Sequence, residues 1–265
     1  MSEQSLNPSS APDHLSDADW SRVRAARNGA DLAIAEPWQS VFAPLVAPAA
    51  RTAFVIGQIG QSLDGRIATT SGHSHYINGP AAIVHLHRLR ALVDAVIVGI
   101  GTVTADDPQL TVRGVDGPSP ARVVIDPRGR LSRGAKLLAA DGCRRVVLSR
   151  PGAAPDLPDD VERLRIDVDA AGVLAPAAIV RALARLGLHR VLVEGGALTL
   201  SRFLAAGCLH RLHVMVAPLI IGAGPTGLSL PAIDRLEHAL RPPARTWRLA
   251  QDVLFDLDLG SSAGG

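Results

Sequence analysis

The sequence predicts an α/β protein whose largely parallel central sheet is flanked by helices and includes an antiparallel strand pair near the carboxyl terminus. The first supporting observation is the alternation of short apolar runs, rich in β-branched residues, with segments of helical periodicity. The second is that no helical segment of comparable strength separates the last two apolar runs. With 47% hydrophobic and 20% charged residues in a chain of 265, the composition is that of a folded protein with one large domain or two small ones.

The predicted strands and helices follow from these patterns. Six apolar runs have the length and composition of buried strands, namely residues 53–59, 95–98, 122–125, 145–148, 190–193 and 212–220. Residues 80–92 and 176–186 are predicted helices, and each has a proline near its first turn, where proline is well tolerated. Residues 212–220 and 247–259 are the two segments that we expect to pair as antiparallel strands.

The composition also changes near both ends of the chain. Residues 1–50 are first polar and then rich in proline, and we expect an amino-terminal arm that packs on the core and is partly disordered. Residues 51–259 are expected to form the main folded domain. Residues 260–265 consist of glycine, serine and alanine, and we expect a flexible tail there.

One short helix is predicted inside the arm. Ser16 is suited to cap its amino terminus, because a serine hydroxyl accepts a hydrogen bond from a free backbone N–H of the first turn. Trp20, Val23 and Ala26 would then lie on one face, and Gly29 would end the helix. This apolar face is the part of the arm that we expect to contact the core.

Charge and cysteine content exclude several classes of protein. The net charge of +2 is too small for a nucleic-acid scaffold that works by neutralising phosphates. Lys136 is the only lysine, so a lysine Schiff-base mechanism could rest on that residue alone. Cys143 and Cys208 cannot form a disulfide framework. The chain opens without a secretory leader pattern and has no apolar run of about 20 residues, so we expect a cytoplasmic protein that does not cross a membrane.

One motif matches a dinucleotide-binding pattern letter for letter. Residues 222–227 read Gly-Ala-Gly-Pro-Thr-Gly and follow an apolar strand. That pattern should also open a helix and be followed, about 20 residues later, by an acidic residue at the end of a second strand. The positions near Trp247 hold no acidic residue. We therefore interpret these glycines as a loop between strands.

Two pairs of histidines resemble the spacing of metal ligands. His73 and His75 lie in a glycine-flanked loop, whereas His85 and His87 lie in a predicted helix. Residues two apart on a helix point away from each other, so His85 and His87 cannot readily chelate one ion. No cysteine or carboxylate stands nearby at zinc spacing. We expect no metal, and we interpret these residues as loop and helix-surface histidines.

The end of one predicted strand has the features of an anion-binding site. Residues 191–193 would deliver Glu194 to the carboxyl end of the sheet, and Gly195 and Gly196 would let a ligand approach the backbone closely. A helix then begins, and the first N–H groups of a helix are free to bind a phosphate. The alternative is a purely structural turn in which Glu194 caps the helix.

A second strand end points to the same edge of the sheet. Thr102 is suited to cap a short helical turn, and Asp106 and Asp107 place two carboxylates next to it. Arg90 and Arg113 lie on either side in the sequence, and arginine is the natural bidentate partner of phosphate. The alternatives are an ordinary Asp-Asp-Pro turn and solvated arginines.

Together these motifs resemble the reductase domain of the riboflavin pathway. The resemblance extends from residue 53 to about residue 259 and rests on the segments SLDGRIA (62–68), GHSHYI (72–77), HRLRALVDAVIVGIGTVTADDPQLTVR (87–113), RVVID (122–126) and VLVEGGALTLSRFL (191–204). It implies a dihydrofolate-reductase-like α/β fold, a homodimer, and the reduction of 5-amino-6-(5-phosphoribosylamino)uracil by NADPH.

The resemblance also assigns residues to ligands. Contacts to NADPH are implied for Gly60, Tyr76, Thr102, Asp106, Gly196, Ala197, Leu198, Thr199, Leu200, Ser201 and Arg202. Contacts to the phosphoribosyl-pyrimidine are implied for Ser74, Arg90, Leu110, Arg113 and Glu194. In this reading the cofactor supplies the hydride, Glu194 protonates or stabilises the imine, and Asp106 acts as an orienting group or proton relay.

The sequence departs from the family pattern at two places. Tyr76 stands where tryptophan is common, and residues 57–61 are more polar and richer in glycine than usual, so the fit of the substrate is expected to differ. These departures support an alternative, a non-catalytic protein that binds a pyrimidine or nucleotide. The joint presence of Glu194, Asp106, Arg90 and Arg113 favours the enzyme.

Two further expectations concern cofactor choice and the range of activities. Arg128 and Arg150 follow predicted strands and are candidates to contact the 2′-phosphate of NADPH, the alternative being solvated loop residues. In many bacteria this reductase is fused to a zinc deaminase. Cys143 and Cys208 are far apart, so we expect no deaminase activity. The choice between riboflavin synthesis and another pyrimidine pathway stays open.

Overall fold

The computed structural model describes residues 14–47, 53–75, 77–169 and 171–260. The helices are α1 (Asp17–Arg27), α2 (Trp38–Val46), α3 (Pro80–Leu92), α4 (Ile100–Asp106), α5 (Pro176–Arg185) and α6 (Ala197–Ala205). The strands are β1 (Phe54–Ser62), β2 (Ala95–Gly99), β3 (Ala121–Ile125), β4 (Arg145–Ser149), β5 (Glu162–Arg165), β6 (Arg190–Glu194), β7 (Arg211–Ala217), β8 (Ala244–Leu249) and β9 (Asp252–Asp258).

All nine strands form one sheet in the order β5-β4-β3-β2-β6-β1-β7-β9-β8. The strands from β5 to β7 in this order are parallel, and β9 is antiparallel to both of its neighbours. The predicted α/β class and the antiparallel pairing near the carboxyl terminus are therefore confirmed. Residues 247–259 contain more than the single strand predicted, because the chain turns at Ala250, which has a φ of 56°, and separates β8 from β9.

The sheet has a hydrophobic layer on each face. Successive residues of β2 alternate between them, with Val96 and Val98 in one layer and Ala95 and Ile97 in the other. Side chains of α1, α2 and α3 belong to the first layer, and those of α5 and α6 belong to the second. Because both faces are covered, the parallel strands other than the edge strand β5 are largely buried, as their continuous apolar sequences predict.

The local signals for α1 act as predicted. The Ser16 hydroxyl accepts a hydrogen bond from the Asp19 N–H, and Trp20, Val23 and Ala26 are buried. Asn28 caps the carboxyl end, and Gly29 follows with a φ of 102°. The two predicted longer helices also form, with prolines at their first positions.

The described part of the arm belongs to the core of the domain. Phe42 of α2 packs against Trp20 and Trp38, with ring centroids 6.0 and 6.2 Å apart, and against His85 of α3 at 5.8 Å. Arg27 donates to the Leu92 carbonyl at 3.0 Å, which ties α1 to the end of α3. The expectations of disorder in residues 1–13 and 48–50 and of a flexible tail in residues 261–265 lie outside the described residues.

The topology places the ends of four strands next to one another. The carboxyl ends of β2, β6, β1 and β7 lie side by side at one edge of the sheet, and α4 and α6 begin directly after β2 and β6. Residues 222–227 lie in the long connection between β7 and β8, as predicted, and open no helix. Among the described residues, none of the helices has the length and apolar character that crossing a bilayer requires.

Candidate active site

A cleft of about 660 Å³ opens at the carboxyl ends of β1, β2 and β6. Helices α3 and α4, the glycine turn after β6 and residues of the segment between β1 and α3 form its walls. Ligands of open α/β sheets bind at this edge, where strand ends and helix starts present free backbone groups. The cleft is large enough for a drug-sized ligand or part of a dinucleotide.

The centre of the cleft holds a buried ion pair. Glu194, at the end of β6, accepts hydrogen bonds through both carboxylate oxygens, from Arg90 Nε at 2.7 Å and from Arg90 Nη2 at 2.6 Å. Only 4% of Glu194 and 7% of Arg90 are exposed. Arg90 Nη1 also donates to the Thr111 carbonyl at 3.0 Å. Burial alone would lower the pKa of Arg90, but the charge and hydrogen bonds of Glu194 raise it above its usual value.

This geometry decides what the two side chains can offer to a ligand. With both oxygens held by a guanidinium, Glu194 is an acceptor of hydrogen bonds and a source of negative charge. Arg90 has five N–H groups, of which three serve the contacts above, so two are left for a ligand. Glu194 does not cap α6, because Gly196 is the N-cap residue and both Glu194 oxygens accept hydrogen bonds from Arg90.

A sharp turn of two glycines connects β6 to α6. Gly195 and Gly196 have φ angles of 63° and 65°, a region that residues with a Cβ rarely adopt. A Cβ added to Gly196 would lie 2.7 Å from Thr102 Oγ1, so the turn also has no room for a side chain. The Thr199 N–H donates to the Gly196 carbonyl at 3.0 Å, whereas the N–H groups of Ala197 and Leu198 have no partner within the helix and directly follow Gly196, which lines the cleft.

Helix α4 contributes the opposite wall. Its N-cap is Gly99, and Thr102 lies inside its first turn, so the prediction that Thr102 caps a helix is wrong. Asp106, the last residue of α4, is exposed and lines the cleft. Asp107 is occupied elsewhere, because its carboxylate accepts from the Lys136 N–H at 2.9 Å and lies 3.4 Å from Lys136 Nζ. These contacts lower the pKa of Asp107.

The segment after α4 is held against α3. Leu110 is buried, lines the cleft and has a φ of 57°, which is unusual for a residue with a branched side chain. The Arg113 N–H donates to His87 Nδ1 at 3.1 Å. The Arg113 guanidinium is exposed and donates to Gln109 Oε1 and Thr111 Oγ1, at 3.2 and 3.0 Å.

The prediction of helix-surface histidines in α3 is wrong. His85 and His87 are 2% and 5% exposed. His85 Nε2 lies 3.1 Å from His213 Nδ1 of β7, and burial, with the nearby charges of Arg90 and Arg113, lowers the pKa of His87 to about 4. The reason is that α3 is packed on several sides and has no broad solvated face around these histidines. Within the described ranges, no three His, Cys, Asp or Glu residues are grouped so that they could hold a metal ion.

The structure gathers eight of the predicted ligand contacts in the cleft. These are Gly60, Ser74, Arg90, Thr102, Asp106, Leu110, Glu194 and Gly196. Residues 197–202 of α6 and Arg113 lie outside its lining. Within α6, Leu200 packs in the core, Ser201 accepts from the Ser229 N–H at 2.8 Å, and Arg202 is exposed. Tyr76 lies outside the described residues.

Two polar residues that line the cleft were not predicted from the sequence. Gln58, in the middle of β1, is buried and lies opposite Glu194 in the strand register. The polar character of residues 57–61 was a signal for it. Asn78 donates to the Met215 carbonyl at 3.2 Å. Its Oδ1 packs against Gly60, where an added Cβ would lie only 1.9 Å from this oxygen. No pattern in the sequence indicates Asn78, because its contacts are all distant along the chain.

Comparison with known proteins identifies the family. Residues 53–255 match the model of the RibD C-terminal domain. The chain belongs to the RibD C-terminal domain family. Within this family, it is 33% identical over 211 residues to the 2,5-diamino-6-ribosylamino-4(3H)-pyrimidinone 5′-phosphate reductase of Methanothermobacter thermautotrophicus. That match covers 77% of this chain and 96% of the relative.

Longer members of the RibD family are similar over only part of their length. The riboflavin biosynthesis protein RibD of Mycobacterium tuberculosis is 34% identical over 184 residues, which are 68% of this chain and 46% of the relative. The solved deaminase/reductase of Thermotoga maritima superposes with a TM-score of 0.67 at 26% identity, covering 78% of this chain and 57% of that one. This structural likeness confirms the fold implied by the sequence resemblance.

Proposed function

We propose that this protein is an NADPH-dependent reductase of a phosphoribosylaminopyrimidine, 5-amino-6-(5-phosphoribosylamino)uracil or a close analogue. It would convert the ribosyl group to ribityl in riboflavin or related pyrimidine metabolism. The observation that carries the proposal is the position of the Arg90–Glu194 pair beside the glycine turn of α6 in one cleft. The M. thermautotrophicus relative, named as a reductase of such a pyrimidine, supports it.

The residues at the start of α6 fit the pyrophosphate of a dinucleotide. The turn at Gly195 and Gly196 brings bare backbone to the cleft wall, in a space that a Cβ would fill. The free N–H groups at the start of α6 supply hydrogen-bond donors and a favourable dipole for an anion. When bound, NADPH supplies the hydride. We assign Gly60, Thr102, Gly196 and the first residues of α6 to its binding.

The remaining residues orient the substrate and manage its charge. Opening of the ribose ring gives an imine, whose C1 carbon takes the hydride and whose nitrogen takes a proton. We assign Glu194, which Arg90 fixes in position, to the stabilisation of a protonated imine by its negative charge. Asp106 is exposed at the cleft and is available to orient the substrate or relay a proton. Arg113, exposed beside this site, is assigned to the substrate phosphate.

Preference for NADPH over NADH is part of the proposal. Arg128 and Arg150 follow β3 and β4 and are exposed, so their guanidinium groups are accessible to a 2′-phosphate. We expect the kcat/KM for NADPH to exceed that for NADH by at least tenfold. Replacing Arg128 and Arg150 by glutamine should reduce this ratio, and equal kcat/KM values in the unmodified protein would contradict the preference.

The deciding experiment is an assay with freshly deaminated phosphoribosylaminopyrimidine. Protein, NADPH and substrate are mixed, the absorbance of reduced nicotinamide is followed, and the ribityl product is identified by mass. We expect absorbance loss that requires all three components. The aminopyrimidine before deamination serves as a second substrate, and we expect no deaminated product from it. Tight binding of both ligands without turnover would favour the alternative, a non-catalytic pyrimidine-binding protein.

A further inference from the structure

The middle of β1 carries a buried polar side chain, that of Gln58. This residue is 5% exposed and lines the cleft. Its side-chain amide makes no hydrogen bond among the described residues, although neither amide atom is sealed from water. Buried polar groups are nearly always paired, so an unpaired amide in the wall of a cleft indicates a ligand that pairs with it.

The alternation of side chains along β1 shows which way Gln58 points. Ile56 belongs to the hydrophobic layer that contains side chains of α3, and side chains two positions apart in a strand share a face, so Gln58 projects to that side as well. Glu194 of β6 lies opposite Gln58 in the strand register. It projects to the same side, because it accepts hydrogen bonds from Arg90 of α3. The Gln58 amide and the buried ion pair therefore lie on one face of the sheet, at the cleft.

The residues on both sides of Gln58 have other partners. In the register of the sheet, Gln58 lies between Glu194 of β6 and His213 of β7. Both Glu194 oxygens are held by the guanidinium of the ion pair. The two ring nitrogens of His213 lie 3.1 Å from His85 Nε2 and 3.2 Å from Asp256 Oδ1. Neither neighbour depends on the Gln58 amide, whose donors and acceptor are therefore left for a ligand.

The cleft has room for a ring beside this amide. Gly60, two residues further along β1, and the glycine turn after β6 also line the cleft, and none of these glycines has a side chain that could cover Gln58. Asn78 packs against Gly60 and borders the same space. With a volume of about 660 Å³, the cleft admits a six-membered ring together with the groups attached to it.

The chemistry of the side chain specifies the group that it binds. A glutamine amide is uncharged and presents N–H donors and a carbonyl acceptor side by side. Its complement is another amide edge, a C=O next to an N–H, which both a pyrimidinone ring and the carboxamide of nicotinamide offer. The residues beside Gln58, Glu194 and Arg90, are assigned above to the substrate. We propose that Gln58 binds the amide edge of the pyrimidine ring and thereby determines which substrate fits. This inference rests on the proposed function.

The test measures ligand binding by calorimetry in the full chain and in two matched variants. Gln58→Met keeps the length of the side chain but removes its amide, so the dissociation constant of 5-amino-6-(5-phosphoribosylamino)uracil, measured without NADPH, should rise about tenfold or more. The dissociation constant of NADPH should not change. Gln61→Met is the control, because Gln61 lies on the same strand, is half-buried and does not line the cleft. It should bind both ligands as the unmodified chain does.

A modified ligand gives a second readout. The same compound with a methyl group on the ring nitrogen between its two carbonyls lacks the N–H of the amide edge. The unmodified chain should bind this analogue about tenfold more weakly than the parent compound. Gln58→Met should discriminate much less between the two ligands. Gln58→Asn, whose amide is set back by one methylene, should also discriminate less, and it replaces the methionine variant if that variant does not fold.

The outcomes separate this inference from the proposed function. Unchanged binding of the pyrimidine in folded Gln58→Met, with turnover in the unmodified chain, would overturn the inference alone. A loss of NADPH affinity in place of pyrimidine affinity would also overturn it and assign the amide to nicotinamide. Binding that depends on Gln58 without any turnover would contradict the proposed function and support the contact. No binding of the pyrimidine by the unmodified chain would overturn both.

Discussion

Glu194 holds Arg90 through both carboxylate oxygens at a place from which water is nearly excluded. Removal of either partner should lower the free energy of unfolding by about 3 to 5 kcal/mol, because the other charge would stay buried without a partner. The pair therefore positions Arg90 and supplies negative charge, and these two roles are separable by measurement. Free energies of unfolding report the first role, and turnover reports the second.

We predict that Glu194→Gln lowers kcat about 100-fold or more, as loss of one acid–base or charge-stabilising group does. The dissociation constants of NADPH and substrate should change much less, because glutamine keeps the size and one acceptor. The variant should also be less stable, since Arg90 keeps its charge without an ionised partner. Kinetics measured well below the melting temperature of the variant separate the loss of turnover from the loss of stability. A near-normal kcat would contradict the catalytic role of Glu194 and leave Asp106 as the next candidate for that role.

Gly196→Val should abolish NADPH binding. Valine is strained at a φ of 65°, and its Cβ would lie 2.7 Å from Thr102 Oγ1 at the wall of the cleft. Gly187→Val is a matched control, because Gly187 has a φ of 78° with open space around it and lies outside the cleft. Calorimetry should find normal NADPH affinity in the control. Normal affinity in folded Gly196→Val would place the anion site elsewhere.

Arg113→Lys should weaken substrate binding more than cofactor binding. Lysine keeps the positive charge but loses the planar fork that binds phosphate through two hydrogen bonds, so we expect KM to rise about tenfold. The backbone bond to His87 does not depend on the side chain and should persist. If Arg113 only shapes its loop through Gln109 and Thr111, the melting temperature should fall while KM stays constant.

Among the elements, α3 makes the stability of the fold depend on pH, because its residue His87 holds the segment of Arg113 beside the cleft. The imidazole accepts the Arg113 N–H and is kept neutral, because burial and two nearby arginines lower its pKa from 6.5 to about 4. Above pH 6.5 neither the folded nor the unfolded chain protonates it, so its contribution to stability is complete. Between pH 6.5 and 4 the unfolded chain binds the proton first, and stability is lost.

We therefore expect the free energy of unfolding to fall by about 1 to 3 kcal/mol from this group as the pH drops from 7 to 4. His87→Asn keeps an acceptor for the Arg113 N–H but does not titrate. Urea unfolding across this range should show a shallower pH dependence in the variant than in the unmodified chain. His85, whose pKa is also lowered by burial, should preserve part of the slope in both proteins. Identical slopes would contradict the assignment.

The elements also show which parts of the fold a sequence can predict. Buried parallel strands and helices with an initial proline were found within a few residues, because burial on both faces gives uninterrupted apolar runs. β5 was missed because Glu162, Arg163 and Arg165 make it an exposed, charged edge strand without such a run. The β8–β9 hairpin was missed because its turn, at Ala250 and Gln251, contains no glycine or asparagine.

Features of the candidate site that depend on neighbouring residues in the sequence were predicted, and contacts between distant residues were not. The glycine turn at Gly195 and Gly196 and the acidic strand end are encoded by neighbours in the chain, and both were found. The bond between Asn78 and Met215 joins residues that are 137 positions apart, and no local pattern records it. The pairing of Arg90 with Glu194 could not be predicted from the sequence either. Each residue was expected to contact the substrate, and no local pattern indicates that the two side chains bind each other.

At the scale of the whole molecule, the sheet is protected at both edges. β5 is short and charged, and β8 presents Arg245 and Arg248 to solvent, so both edges disfavour pairing with a strand of another chain. Among the described residues, most of the exposed large apolar side chains lie in the connection between β7 and β8, where Ile220, Leu236 and Leu240 are 73%, 77% and 64% exposed. Exposed apolar side chains that form a patch commonly mark a contact with another protein. We therefore propose that this chain forms a homodimer and that this connection is the contact between its subunits.

If the connection forms that contact, a charge within it should separate the subunits. We predict that sedimentation finds a dimer for the unmodified chain and a shift toward monomer for Leu236→Glu combined with Leu240→Glu, because burying an unpaired carboxylate is costly. Ala25→Glu adds one glutamate at an exposed position of α1, outside the proposed contact, and should leave the dimer intact. The melting temperature controls for misfolding, since both leucines already face solvent in the single chain. A dimer that tolerates both glutamates would place the interface on another surface, and a monomeric unmodified chain would exclude the homodimer.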